Sequence, residues 1–205
     1  MTVIEQRSNF YALLSRIFIS EFEKELLKNV LKNKELLEMM PTLKEDKQSI
    51  IDNINVYVEE ILNVDFTNLF LLHLTPYESF FKREDGMMNT GGSNPVVQFY
   101  EKYDFQVDLS RGRIIASDHI GAELEFMHVL LEGEKRALTK KDEKSQLEIL
   151  EIEKEFLKEH LLSWVPLFLN QVRKESETSF YREFADLAID FLFSDYEYIN
   201  DKLLL

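Results

Sequence analysis

Apolar residues recur at three- and four-residue spacing from the start of the chain, with Ile4, Tyr11, Leu14 and Phe18 on one stripe and Arg7 in the place that completes the rhythm. That spacing predicts an amphipathic opening helix. Short charged helical pieces follow over 21–31 and 34–40, then Pro41 punctuates, and Leu43, Ile50, Ile54 and Ile61 mark another helix face. Asp65 is placed to cap a helix that carries Phe66, Leu69, Phe70 and His73.

The pattern then breaks at Thr75-Pro76-Tyr77-Glu78-Ser79-Phe80-Phe81, and 82–95 gathers Gly86, Gly91, Gly92 and Asn94 without apolar periodicity. The expected organisation is one domain over 1–205, with an N-terminal lobe over 1–82, a flexible glycine-containing joint over 83–95 and a C-terminal lobe over 96–205. Such a joint permits a closed monomer or a dimer that exchanges a lobe.

Beyond it, 96–103 reads as a short helix. Ser117 and Asp118 supply cap residues for a long helix through Gly121, Leu124, Met127 and Leu131. Ile149, Ile152 and Phe156 mark a further helix that ends over 160–166, where Pro166 suits the first turn of the next. Phe180, Phe184, Leu187 and Phe191 define the closing helix face. The expected class is all-α, with about nine or ten helices in two packed lobes and no fixed-period repeat.

Composition sharpens this picture. With 45% hydrophobic residues the 205-residue chain has material for a substantial core, and 6 Gly and 4 Pro leave little for turn-rich β-structure. No cysteine is present, which excludes disulfides, thiolate metal sites and cysteine nucleophiles. No segment approaches the ~18 apolar residues needed to cross a bilayer, so neither export nor membrane insertion is expected. The net charge of -14 repels nucleic acid and attracts a cationic peptide.

Enzyme signatures are missing: there is no phosphate-binding loop, no Gly-x-Ser-x-Gly elbow and no His-x-x-x-His pair among His73, His119, His128 and His160. Glu125-Phe126-Met127-His128 is one Glu-x-x-His fragment, and a di-iron bundle needs two. A metal-binding helical-bundle enzyme built on Glu125 and His128 is the alternative reading.

The segment from Asp118 to Met127 is more unusual. Asp118 can accept from free amides at a helix start, His119 and Glu123 can pair four residues apart, and Gly121 in a first turn points to close approach by another group. Asp118-His119-Ile120 followed by Glu123-Leu124-Glu125-Phe126-Met127 resembles the Asp-His-x-x-x-Glu-Leu-Glu-Phe-Met signature of the TorD/DmsD family of redox-enzyme maturation chaperones. Pro76-Tyr77-Glu78-Ser79-Phe80-Phe81 is similar to that family's Pro-x-x-Ser-Val-Tyr, with Phe80 for Val and Phe81 for Tyr. The helix of Arg7, Tyr11 and Leu14, the series His160, Leu161, Trp164, Pro166 and Phe168, and Phe180-Tyr181 fit the same layout. The stretch Tyr103-Asp104-Phe105 lacks an expected Gly-Leu.

This resemblance implies a TorD-like helical chaperone that works without catalysis or cofactor. It would bind the twin-arginine signal peptide of a molybdenum-cofactor oxidoreductase of anaerobic respiration, holding the apo catalytic subunit in the cytoplasm until maturation. Such a peptide offers a basic end and an apolar segment, so its receptor needs an acidic rim beside an apolar groove. The expected groove residues are Tyr11, Tyr77, Phe80 and Phe81, the expected polar residues are Asp118, His119 and Glu123, and the resemblance implies that Pro76 and Ser79 border the same peptide site. A module that recognises the partner's folded surface instead of its signal is a further possibility.

Overall fold

The opening stripe forms α1 (Val3–Ile19) in a computed structural model that describes residues 2–89, 93–110 and 112–204. Ile4, Tyr11, Leu14 and Phe18 are buried, and Arg7 is buried with them. The other helices are α2 (Lys24–Lys32), α3 (Lys34–Glu38), α4 (Pro41–Asp52), α5 (Ile54–Val56), α6 (Asn63–Phe66), α7 (Glu78–Lys82), α8 (Pro95–Lys102), α9 (Ile120–Lys140), α10 (Glu143–Phe156), α11 (Leu162–Glu175) and α12 (Ser179–Leu203). π-Helical turns at Tyr57–Leu62 and Thr67–His73 splice α5 and α6 into one run over 54–73, and a third at Leu157–Leu161 joins α10 to α11. Ten uninterrupted helical runs result among the described residues, with no strand beyond one isolated antiparallel bridge between Tyr77 and His119. The all-α expectation holds.

Local chemistry sets most helix starts. Pro41 and Pro95 occupy first-turn positions where no amide is needed. Side chains of Asn33, Asn94 and Asp142 accept from Leu36, Val96 and Ser145 amides respectively, each at 3.1 Å. Lys141 ends α9 in the left-handed conformation at φ 56°.

Three expectations need correction. Asp65 does not begin a helix; it lies inside the 54–73 run, and its carboxylate accepts from the Thr178 amide (2.9 Å), the Thr178 hydroxyl (2.6 Å) and the Glu177 amide (3.2 Å), fixing the turn ahead of α12, which Thr178 caps by accepting from the Tyr181 amide at 3.3 Å. No break occurs over 160–166: 143–175 is one helical run with Pro166 inside it, just beyond the wider π turn. In α10 the fully buried face is Leu150, Glu153 and Phe156, with Ile149 and Ile152 only half-buried.

The chain divides into two compact units that interleave in sequence, whereas the apolar pattern suggests contiguous lobes over 1–82 and 96–205. Residues 90–92 of the expected joint, Gly91 and Gly92 among them, lie outside the described residues. The first unit takes Met1–Ile19, Pro76–Val165 and Phe191–Leu205. In it α1 packs along α9: the Ser15 hydroxyl donates to the Gly121 carbonyl (2.8 Å), and a Cβ on Gly121 would meet Ile19 Cγ1 at 2.4 Å. Phe126 anchors its aromatic core, with ring centroids 4.7 Å from Phe156 and 5.1 Å from both Tyr100 and Phe105.

The second unit takes Ser20–Thr75 and Pro166–Asp190. Phe22 packs edge-on against Phe180 (4.7 Å) and Phe70 against Tyr181 (5.4 Å). The Glu183 carboxylate accepts from the amides of Thr42 (2.7 Å) and Leu43 (2.9 Å) in the first turn of α4. Among the described residues no helix is long and apolar enough to cross a membrane.

Candidate functional site

Backbone pairing brings the two family-like motifs together in the first unit. The Ile120 amide donates to the Pro76 carbonyl (2.9 Å) and the Glu78 amide to the Asp118 carbonyl (2.9 Å). Asp118 Oδ2 then accepts from the Ser79 amide at 2.8 Å, so this carboxylate serves the first turn of α7 and not, as expected, its own helix. His119 caps α9 instead, its Nδ1 accepting from the Gly121 amide at 3.0 Å. Only a neutral imidazole can accept there, and burial depresses the His119 pKa to about 3.

Tyr77 packs edge-on against the His119 ring (5.1 Å), and its hydroxyl accepts from the Ile115 amide (3.2 Å). The Ser79 hydroxyl accepts from the Asn89 amide (2.8 Å), which ties the following loop back to α7. Phe80 is 38% exposed, and its ring lies 5.4 Å from Phe81, which in turn lies 5.3 Å from Trp164.

Beneath this surface the polar residues are sealed. Asp118 and Glu123 are 0% exposed and His119 3%, so they form no acidic rim in this conformation. Nor do His119 and Glu123 use each other as expected: Glu123 Oε2 accepts from the Trp164 indole at 3.1 Å, while His119 spends its acceptor on Gly121. Burial, then the nearby charge of Glu78, pushes the Glu123 pKa well above the usual carboxylate range. Glu78 is itself buried, accepts from Lys82 Nζ (2.9 Å) and lies 3.0 Å from His160 Nδ1. Tyr100 Oη, Asp118 Oδ1 and Glu123 Oε1 are buried without a hydrogen-bond partner.

Tyr11 is set apart from this assembly. Fully buried in α1, it donates to Asp195 Oδ2 (2.8 Å) beside a second charged cluster, where Arg7 bonds Asp195, Glu153 (2.6 Å) and Glu134 (3.2 Å). Burial first, then Glu134 and Asp195, push Glu153 up to about 8 against the opposing charge of Arg7. His128 Nδ1 lies 3.0 Å from the Ser8 hydroxyl. Among the described residues, no group of three or more His, Asp or Glu side chains is arranged to hold a metal ion.

Glu78 and Trp164 stand inside motifs visible in the sequence, but nothing in the apolar pattern marks them as partners of the Asp118 and Glu123 segment. Tyr100 carries no signal beyond an aromatic in a short helix.

A family model described as nitrate reductase delta subunit matches residues 36–170. The chain is 26% identical to the chaperone protein TorD of Vibrio parahaemolyticus serotype O3:K6 (strain RIMD 2210633), over 95% of each chain. TorD of Aliivibrio salmonicida (strain LFI1238) is also 26% identical over 95% of each. The perchlorate reductase assembly chaperone protein of Dechloromonas aromatica (strain RCB) is 31% identical over 46% of this chain and 40% of its own.

Proposed function

The chain belongs to the TorD/DmsD family of redox-enzyme maturation chaperones, matched as nitrate reductase delta subunit, and we propose that it holds a twin-arginine signal peptide in the cytoplasm while the apo catalytic subunit of a molybdenum-cofactor oxidoreductase matures. Its role is that of a chaperone and not of an enzyme.

The observation that carries this reading is the pairing of Pro76–Ser79 with Asp118–Ile120, which holds the exposed Phe80 and the adjoining Phe81 on a fixed backbone. A signal of this kind has a basic end and an apolar segment. The charge of -14 draws in the first, and the aromatic pair offers the second a large contact area at low entropic cost. In this reading Phe80 and Phe81 touch the peptide. Pro76, Tyr77, Ser79, Asp118 and His119 hold the ledge they stand on, and Tyr11 acts only through the packing of α1.

Calorimetric titration of the full chain with synthetic twin-arginine signal peptides from molybdoenzymes of the same genome tests the proposal. Binding that weakens with added salt is expected, and Phe80→Ala should weaken it about 5- to 30-fold. No binding to any such peptide overturns the proposal. So does a partner subunit that binds equally well once its signal is removed.

A further inference from the structure

The end of α9 and the start of α10 form the most positive stretch of an otherwise acidic chain. Five of its 24 cations, Lys135, Arg136, Lys140, Lys141 and Lys144, fall within residues 135–144 against two acids, and no other ten-residue stretch carries as large a positive charge. Local pairing leaves most of that charge unspent. Asp142 accepts from the Ser145 amide (3.1 Å) and hydroxyl (2.7 Å), and Glu132 pairs with Lys135 at 2.7 Å. Arg136, Lys140 and Lys141 make no ion pair among the described residues, and the largely exposed Lys144 comes only within 3.6 Å of Glu148.

A helix C-terminus attracts cations, which accounts for Lys140 in the last turn of α9. It does not account for two of its neighbours. Lys141 stands at φ 56°, where its amide donates to the Leu138 carbonyl (3.1 Å) and the Asp142 amide to the Ala137 carbonyl (3.0 Å); glycine fills this left-handed position without strain and lysine does not. Lys144 lies in the first turn of α10, the helix end that disfavours cations. At both positions the chain forgoes local stability and keeps a cation, as it does where a side chain is retained for something outside the fold.

A groove of about 320 Å³ on α9 is lined by Glu132, Lys135, Arg136, Thr139 and Lys140. Its charges stand on long side chains spread over two helical turns, which suits an extended chain with several carboxylates better than one compact anion. Leu138 and Leu147, both half-exposed, offer apolar contact in the same hairpin. A flat lipid surface would also meet Asp142, Glu143 and Glu148, whereas a peptide can pass its carboxylates between them. We propose that the tip of the α9–α10 hairpin docks an acidic segment of a partner protein, with its carboxylates held by Arg136, Lys140, Lys141 and Lys144. Arg136 can take one of them through two parallel bonds. The tip lies at the far end of the 21-residue α9 from His119, about 30 Å away by helix rise, so this surface is separate from the Phe80 ledge and does not rest on the signal-peptide reading.

The test is calorimetric titration of the full chain with a synthetic peptide of alternating glutamate pairs and leucines, and with the same peptide carrying glutamine for glutamate. The glutamate peptide should bind, more weakly as salt is added, and the glutamine peptide should not. Arg136→Gln together with Lys140→Gln should weaken binding about three- to ten-fold, the range for two exposed ion pairs. Lys141→Asn should weaken it about two- to five-fold while the thermal midpoint without peptide holds or rises, since asparagine tolerates the left-handed position. A lysine kept only for the helix dipole gives the opposite, a lower midpoint with unchanged binding, and that result overturns the proposal. So does equal binding of the two peptides, or no binding of the glutamate peptide at low salt. Retention of the chain by phosphatidylglycerol vesicles in place of the peptide overturns it too, and makes the tip a lipid contact.

Discussion

Gly121 sits in the first turn of α9 where a methyl group has no room, because its Cβ would come within 2.4 Å of Ile19 Cγ1. Gly121→Ala should therefore destabilise the chain by about 1–3 kcal/mol in thermal or urea unfolding, and Ile19→Ala in the same chain should recover part of that loss. A glycine inside a helix start was enough to foresee a close neighbour; that the neighbour is the last residue of α1 was not legible, since it depends on how two helices far apart in sequence lie together. Arg7 shows the same limit. Its position on the apolar stripe is plain, but its partners Glu134, Glu153 and Asp195 lie 127, 146 and 188 residues away. Arg7→Met leaves those carboxylates without their cation, and about 3–5 kcal/mol of stability should be lost at neutral pH in chemical denaturation.

At the scale of elements, periodicity locates helices better than it assigns their faces. The α10 stripe of Ile149, Ile152 and Phe156 is off by a small rotation, because Glu153 enters the interior to meet Arg7 and takes Leu150 with it. No hydropathy pattern marks a glutamate as interior. Asp65 has the right chemistry to accept from free amides and spends it on the Glu177–Thr178 turn, so the residue type was informative and its target was not. Asp65→Ala should cost about 2 kcal/mol in urea unfolding, since three hydrogen bonds that fix the turn ahead of α12 disappear together and leave buried donors unpaired. At the candidate site the two motifs were legible as motifs. Their mutual backbone pairing, and the burial of Asp118, His119 and Glu123 under it, were not.

For the molecule as a whole, buried ionisable groups set how stability follows pH. Glu153, raised from 4.5 to about 8, binds a proton on folding anywhere between those values, so its contribution is complete below about 4.5 and lost as pH climbs through 8. Glu123 and Glu134, also raised, act in the same sense. His119 acts in the opposite sense: depressed from 6.5 to about 3, it contributes above 6.5 and loses that contribution as pH falls toward 3. Thermal unfolding followed by circular dichroism should therefore show a midpoint that falls as pH rises from about 6.5 to 8.5, and Glu153→Gln should flatten that limb.

The bond from Arg7 to Asp195 also bears on the order of events at the ribosome. Synthesis delivers Arg7 188 residues before Asp195, so for most of that interval α1 carries a cation that lacks one of its three interior partners. Until α12 emerges the first unit lacks the bonds that Asp195 makes with Arg7 and Tyr11. A chain stalled or cut before Asp195 should be digested rapidly at α1, while the finished chain resists.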